Sequence, residues 1–179
     1  MLYTKLYISN ADRAFNNDEL EELVSESRTW NSRHGITGFL AYVEGVLDGK
    51  IRCQFIQVVE GLKSNIEEVF SNIKHDPRHR DIYVIKEGII NTRQFGSWNM
   101  GFERLNLSTN PELQLFFSMD LLMLSVTGDI DNNILMQFMK TFYDQKEQSD
   151  KDLENLSTLK HFSFMRNDLS PLGKELIRK

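Results

Sequence analysis

The sequence contains a single cysteine, Cys53, among its 179 residues. One thiol excludes an intrachain disulfide and leaves no thiolate cluster for a structural zinc ion. Proline is also scarce, with three residues in the chain. No apolar run approaches the roughly 20 residues that a membrane-spanning helix requires, and the first residues are too few and too polar for a signal peptide. We therefore expect a cytoplasmic protein without a membrane partner.

The sequence also has no excess of basic residues, since its formal net charge is −5 at pH 7. We expect no nucleic-acid partner, because phosphate backbones are bound by clusters of Lys and Arg. Aromatic residues, in contrast, are plentiful, with 12 Phe, 5 Tyr and 2 Trp. This content predicts a packed core rather than a disordered chain. At roughly 150 residues per domain, the length corresponds to about one domain and a remainder.

The hydrophobic pattern alternates between strands and helices over about the first 105 residues. Strands are predicted at residues 2–9, 36–42, 54–59, 81–90 and 92–102. One helix is predicted after the N-cap Asn16, with Glu19 completing a capping box, and a second after Ser64 with Glu67. The resulting order, β-α-β-β-α-β-β, predicts an α+β, ferredoxin-like fold with two helices on one face of a mixed sheet.

The pattern changes after residue 105. A helix is predicted after Asn110-Pro111, in the order N-cap and N1, and another from about Asp131 to Asp144. The residues from 145 to 160 are polar and charged. We therefore expect three parts along the chain: a domain at 1–105, packed C-terminal helices at 106–145, and a loosely attached tail at 146–179.

Common catalytic and phosphate-binding motifs are missing from the sequence. It has no P-loop, GxGxxG, HExxH or GxSxG motif, and we predict no metal site. Polar residues inside strands are the more informative feature. Gln57 shares a strand face with Phe55 and Val59, and a buried amide needs hydrogen-bond partners, which neighbouring backbone can also supply. Ordinary structural roles are likewise open for the other candidates: Tyr7, Asn31, Asp76, Arg78, His79, Trp98 and Met100.

Five short segments nevertheless occur together in one order. They are Leu6-Tyr7-Ile8-Ser9, Asn31-Ser32-Arg33-His34-Gly35-Ile36-Thr37-Gly38, Phe55-Ile56-Gln57-Val58-Val59-Glu60-Gly61, Asp76-Pro77-Arg78-His79 and Arg93-Gln94-Phe95-Gly96-Ser97-Trp98-Asn99-Met100. Over about residues 1–105 this combination resembles the BLUF family, the flavin-based sensors of blue light. The resemblance implies a ferredoxin-like fold and an FAD ring held between the two helices. FMN and riboflavin stay open, because Asn72 stands where some relatives carry a basic residue.

The resemblance also implies roles for individual residues. Tyr7 and Gln57 correspond to the photochemical switch: light drives electron and proton transfer from Tyr7 to the flavin and a hydrogen-bond rearrangement at Gln57. Trp98 and Met100 correspond to the strand that passes the signal outward. The implied flavin-binding residues come from both helices and the central strands: Tyr7, Val24, Ser27, Arg28, Asn31, Ile36, Phe55, Gln57, Val59, Ile73, Asp76, Arg78 and His79.

The leading interpretation is a blue-light photoreceptor that is not an enzyme. The residues after 105 are too few for a cyclase or phosphodiesterase, so we expect the signal to reach an unidentified downstream protein, with the chain itself a homo-oligomer. The interaction surface is expected on the C-terminal helices, at apolar residues such as Phe116, Phe117, Met119, Met123 and Met136. Two alternatives stay open, a flavin-dependent enzyme and a flavin-free ferredoxin-like interaction module.

The segment 43–54, between the second and third strands, is longer than the turn usual in the BLUF family. We expect it to form an extended hairpin, and a flap that contacts a partner is the alternative. The segment includes Cys53, for which we predict no redox role because no neighbouring residue in the sequence is expected to lower the pKa of its thiol.

Overall fold

One five-stranded mixed sheet forms the frame of the computed structural model. Its elements are β1 (Leu2–Ala11), α1 (Asn17–Arg33), β2 (Thr37–Leu47), β3 (Lys50–Leu62), α2 (Lys63–His75), β4 (His79–Ile89) and β5 (Trp98–Leu105). The strands lie in the order β4-β1-β3-β2-β5. The β2–β5 pair is parallel and the other three pairs are antiparallel. The predicted order of elements and the α+β, ferredoxin-like fold are confirmed.

The structure describes residues 1–47, 49–105, 136, 139–141 and 143–153. The chain divides into two units, Met1–Tyr143 and Asp144–Lys179. The described residues from 136 onward are helical, in agreement with part of the predicted helix at 131–144. The helix predicted after Asn110-Pro111 lies outside the described residues, as do Phe116, Phe117, Met119 and Met123. The division of the chain at residues 105 and 145 stays a prediction.

The start of α1 follows the predicted capping box. The Asn16 side chain accepts a hydrogen bond from the Glu19 N–H at 3.0 Å, and the Glu19 carboxylate accepts one from the Asn16 N–H at 2.9 Å. The Arg13 guanidinium also binds this carboxylate, and these hydrogen bonds lower the pKa of Glu19 to about 2. Two of the otherwise unpaired N–H groups at the helix start are thereby satisfied.

The capping box predicted at Ser64 and Glu67 is wrong. α2 begins at Lys63, directly after β3, and its N-cap residue Leu62 has no side-chain hydrogen bond. Ser64 is therefore already inside the first turn, and its hydroxyl bonds to the neighbouring Asn65 side chain at 3.0 Å. The strand determines where this helix begins, since no loop separates the two elements.

Two strand boundaries also differ from the prediction. The segment 43–54 forms the expected extended hairpin, and its arms lengthen the strands predicted at 36–42 and 54–59, with β2–β3 pairing out to Leu47 and Lys50. The last strand begins at Trp98 rather than at residue 92, because the N–H groups of Gln94 and Phe95 bond to a side-chain carboxylate instead of a neighbouring strand.

Different elements pack on the two faces of the sheet. On the helical face, which bears α1 and α2, the core includes Leu20, Leu23, Leu40, Tyr42, Phe55, Val59, Ile66, Trp98 and Met100. On the far face, Met139 and Tyr143 pack on Leu6, Ile8, Phe39, Ile56, Val58 and Phe95. Each such side chain stabilises the fold by roughly 1.5–3 kcal/mol when it is fully buried. Within the described part of the chain, no helix is long and apolar enough to cross a membrane.

Candidate functional site

Gln57 lies on the helical face at the centre of the sheet. In β3 it pairs with Tyr7 of β1 on one side and with Leu40 of β2 on the other. Leu40 in turn pairs with Met100 of β5. Residues opposite each other on neighbouring strands point to the same face. These four residues therefore form one row across four strands.

A hydrogen bond joins the two predicted switch residues. The Tyr7 hydroxyl donates to Oε1 of Gln57, and the two residues are 0% and 4% exposed. Burial raises the pKa of the Tyr7 phenol, and the negative charge of Asp76 adds to the rise. The phenol therefore keeps its proton at physiological pH and remains the donor of this bond.

A cavity of about 270 Å³ opens on the helical face beside Gln57. Its walls come from α1, α2 and the central strands and include Leu23, Glu26, Ser27, Trp30, Asn31, Leu40, Gln57, Val69, Asn72, Ile73, Asp76, Arg78 and His79. Small-molecule sites begin at about 300 Å³ and combine apolar walls with a few polar groups. At about 270 Å³ the cavity lies just below the lower end of this range, and its lining is the one expected for a flat heterocycle.

Asn31 supplies the most informative polar atom of the cavity. The residue lies in the last turn of α1 and is 2% exposed. Its side-chain Oδ1 has no hydrogen-bond partner among the described residues, which costs roughly 1–3 kcal/mol for a buried acceptor. Because Asn31 lines the cavity, an N–H group of a bound ligand would satisfy this atom, so the residue types present fit the isoalloxazine ring of a flavin.

Charged residues line the cavity between α1 and the turn after α2. Arg78 Nη2 lies 2.6 Å from Asp76 Oδ2, and Arg78 Nη1 lies 3.6 Å from Glu26 Oε2. Burial alone raises the pKa of Asp76, but the hydrogen bonds from the Arg78 backbone and side chain outweigh it and hold the pKa below its usual value. This side of the cavity suits a polar, extended part of a ligand rather than an apolar ring.

His79 lines the cavity next to this charged pair. Its Nδ1 lies 2.7 Å from the Ser9 hydroxyl, and its ring centre lies 4.6 Å from that of Phe55. Burial lowers the pKa of the imidazole to about 4, against an opposing effect of Asp76. His79 is therefore neutral at physiological pH and can both donate and accept a hydrogen bond.

Seven of the residues implied by the family resemblance line the cavity: Ser27, Asn31, Gln57, Ile73, Asp76, Arg78 and His79. Others form the core around it: Tyr7, Ile36, Phe55 and Val59 are buried, and Val24 packs on the same cluster. Sequence reasoning missed Leu23, Trp30, Leu40 and Val69 as lining residues. The apolar stripes of the two helices contain Leu23 and Val69, and this signal could have identified them.

Arg28, also implied as a flavin-binding residue, is not among the lining residues of the cavity, and its role toward a flavin stays a prediction. Its Nη2 donates a hydrogen bond to Asn99 Oδ1 at 2.8 Å, and the same oxygen accepts from the Met100 N–H at 2.9 Å. Asn99 lies between Trp98 and Met100, and both of these neighbours are buried on the helical face. Arg28 therefore links α1 to the strand that the resemblance assigns to signal output.

Comparison with known proteins decides the family. The model for "BLUF: Sensors of blue-light using FAD" matches residues 2–101. The chain belongs to the BLUF family. It is thus a blue-light sensor domain that binds a flavin, and the predicted family and cofactor class are confirmed. In the described part of this BLUF chain, no group of three or more His, Cys, Asp or Glu residues could hold a metal ion.

Several relatives resemble this BLUF chain over much of its length. Photoactivated adenylate cyclase subunit beta of Euglena longa is 31% identical over 116 residues, which cover 63% of this chain and 12% of the relative. The blue light- and temperature-regulated antirepressor BluF of Escherichia coli K12 is 28% identical over 150 residues, covering 83% and 34%. The chain therefore spans only a small part of these relatives.

A solved structure agrees with the fold. The dark-state structure of the BLUF protein BlrB has a TM-score of 0.55 and 29% sequence identity, and the alignment covers 78% of this chain and 96% of BlrB.

Proposed function

We propose that this BLUF chain senses blue light through the Tyr7–Gln57 pair, with FAD as its flavin. The observation that carries the proposal is the buried hydrogen bond between these residues, of which Gln57 also lines the cavity. The cavity suits the ring system that FAD, FMN and riboflavin share. The choice of FAD rests on the description of the family.

The residues that hold the flavin divide by chemistry. Leu23, Val69 and Ile73 supply apolar walls for the ring, and Asn31 supplies an acceptor for a ring N–H. Arg78 lines the cavity and would pair with a phosphate of the flavin tail, and Asp76 fixes its guanidinium with hydrogen bonds of 2.6 and 2.9 Å.

The switch chemistry follows from the two side chains. A bound flavin supplies blue-light absorption and a strongly oxidising excited state. Tyr7 is a phenol that can release an electron and a proton, and its hydrogen bond directs that proton to Gln57 Oε1. The Gln57 amide offers one acceptor and one NH₂ donor, so its rotation or tautomerisation exchanges donor for acceptor toward the cavity. The bound flavin would accept the electron, and electron and proton would return to Tyr7 at the end of the cycle, so no substrate would be consumed.

The size of this change determines what it can control. A rearranged hydrogen bond is worth roughly 0.5–1.5 kcal/mol, and useful coupling between sites is about 1–3 kcal/mol. The signal can therefore shift only an element that already has two arrangements of nearly equal free energy. We propose that this element is β5, which carries Trp98 and Met100, and that it acts on a downstream protein or on a second copy of the chain.

Replacing Gln57 with Leu tests the switch. The hydrogen-bond rearrangement is expected to shift the flavin absorption band to the red under blue light. We expect Gln57→Leu to bind flavin, because Leu fills the same volume, and to lose this red shift. The measurement is a light-minus-dark absorption spectrum of the purified full chain. Gln54→Leu is the matched control, since Gln54 lies in the same strand, is 3% exposed and lies on the opposite face.

An undiminished red shift in Gln57→Leu contradicts the proposed mechanism. Purified wild-type protein without a yellow colour points instead to the flavin-free interaction module. Steady-state oxidation of an added reductant, at a rate unaffected by Gln57→Leu, points to the flavin enzyme.

A further inference from the structure

Tyr143, one of the helical residues after 135, contacts the loop that leads into β5. It is 5% exposed, and its hydroxyl accepts a hydrogen bond from the Ser97 N–H at 3.1 Å and lies 3.2 Å from the Ser97 hydroxyl. Its ring packs edge-on against Phe95 and Phe39, with centres 5.1 and 6.0 Å away. The ring therefore has its own packing site, independent of the hydroxyl.

Ser97 is held from two sides directly before Trp98. Its carbonyl accepts a hydrogen bond from the Gly38 N–H of β2 at 3.0 Å, while its N–H bonds to Tyr143. A displacement of Trp98 along or away from β2 must move the Ser97 peptide group, because the two residues share a peptide bond. The Tyr143 hydroxyl bonds to this peptide group, so such a movement directly reaches the helical segment at residues 136–143.

The earlier part of the same loop is anchored elsewhere. The buried Glu60 carboxylate accepts hydrogen bonds from the N–H groups of Gln94 and Phe95 at 2.8 and 3.2 Å. The Arg93 guanidinium donates to the backbone carbonyls of Glu60 and Gly35 at 2.6 and 2.7 Å. Residues 93–95 are thus attached to the end of β3. A movement of β5 therefore changes the backbone at Gly96 and Ser97, which lie next to the Tyr143 hydroxyl.

We propose that Tyr143 is the positioning residue through which the state of β5 reaches the helical segment, by way of its hydrogen bonds to Ser97. This inference rests on the proposed function, since it takes the light-driven change at Gln57 as its input. It assigns the output to one hydroxyl group on the far face. The ring of Tyr143 holds the helical segment on the sheet, and the hydroxyl makes that segment respond to light.

Tyr143→Phe separates these two roles, because it removes the hydroxyl and keeps the ring. The experiment measures the flavin red shift and hydrogen–deuterium exchange of the backbone at residues 136–143, in the dark and under blue light, on the full chain. In the wild type we expect exchange to differ about two- to tenfold between light and dark. In Tyr143→Phe we expect a normal red shift and a light-to-dark ratio of about one. Tyr83→Phe, at an exposed position of β4, is the matched control and keeps the wild-type ratio.

Retention of the wild-type exchange difference in Tyr143→Phe overturns the inference. So does a wild-type protein that shows the red shift but no light-dependent change in exchange at residues 136–143. Absence of the red shift in the wild type overturns the proposed function instead, so the two failures are distinguishable. Ser97→Ala, which keeps the N–H bond and removes only the hydroxyl, is expected to show an intermediate ratio. This second variant keeps the test decisive where Tyr143→Phe fails to fold.

Discussion

His79 is a residue whose burial determines its charge. Its pKa is lowered to about 4 in the folded protein, while in the unfolded chain it has the ordinary value of about 6.5. Between these values the unfolded state binds more protons, so stability increases with pH. We expect the free energy of unfolding to fall by about 2 kcal/mol between pH 7 and pH 5 through this residue. Urea unfolding of the full chain at the two pH values measures the change.

His79→Gln provides the reference for this measurement. The variant lacks the imidazole, so its stability should depend less on pH in the same window, by the amount that His79 contributes. Comparing the two proteins also cancels the opposite contribution of Glu60, whose pKa is raised by burial. His75→Gln, at an exposed position of α2, should follow the wild type. Equal slopes in His79→Gln and the wild type contradict the prediction.

At the scale of elements, Gly38 sets how closely β2 can approach β3. Its φ is +146°, and a Cβ built there lies 2.1 Å from the carbonyl oxygen of Val58. We expect Gly38→Ala to destabilise the protein by about 1–3 kcal/mol or more, because both the backbone conformation and the strand contact are lost. Thermal unfolding measures the loss.

Gly88→Ala is the control, because nothing lies within 4 Å of the added Cβ, and it should change stability by less than about 1 kcal/mol. A similar loss of stability in both variants contradicts the explanation by the close approach of β2 and β3.

The helices and strands show which sequence signals were sufficient to predict where an element begins. The cap at Asn16 and the apolar stripe after it predicted α1 correctly, because both signals are local to the helix. The start of α2 and the start of β5 were missed, since each depends on a distant partner. β3 runs directly into α2, and Glu60 takes the N–H groups that would otherwise have extended β5.

The candidate site was predictable to a similar degree. The residue types of Tyr7, Gln57 and Asn31 were visible in the sequence, and the structure brings the first two into contact. The position of Leu40 beside Gln57 required the β2–β3 register. The Arg28–Asn99 contact joins residues 71 positions apart in the sequence, so no local pattern could have indicated it.

At the scale of the whole molecule, the predicted homo-oligomer gives a direct test of output. A coupling of about 1–3 kcal/mol changes an association constant roughly 5- to 150-fold. We therefore expect the average mass of the full chain, measured by light scattering over a dilution series, to differ between dark and blue-lit samples. Gln57→Leu under the same illumination should show no difference. Identical masses for the wild type in light and dark contradict self-association as the output and leave a downstream protein as the receiver.

The alternation of side chains along β3 has a consequence for how such sensors diversify. Gln57 lies on the helical face, whereas its neighbours Ile56 and Val58 lie on the far face against Met139 and Tyr143. Substitutions that adapt the far face to a new partner therefore need not alter the residues around the flavin. The two faces of this one sheet can in this way change independently of each other.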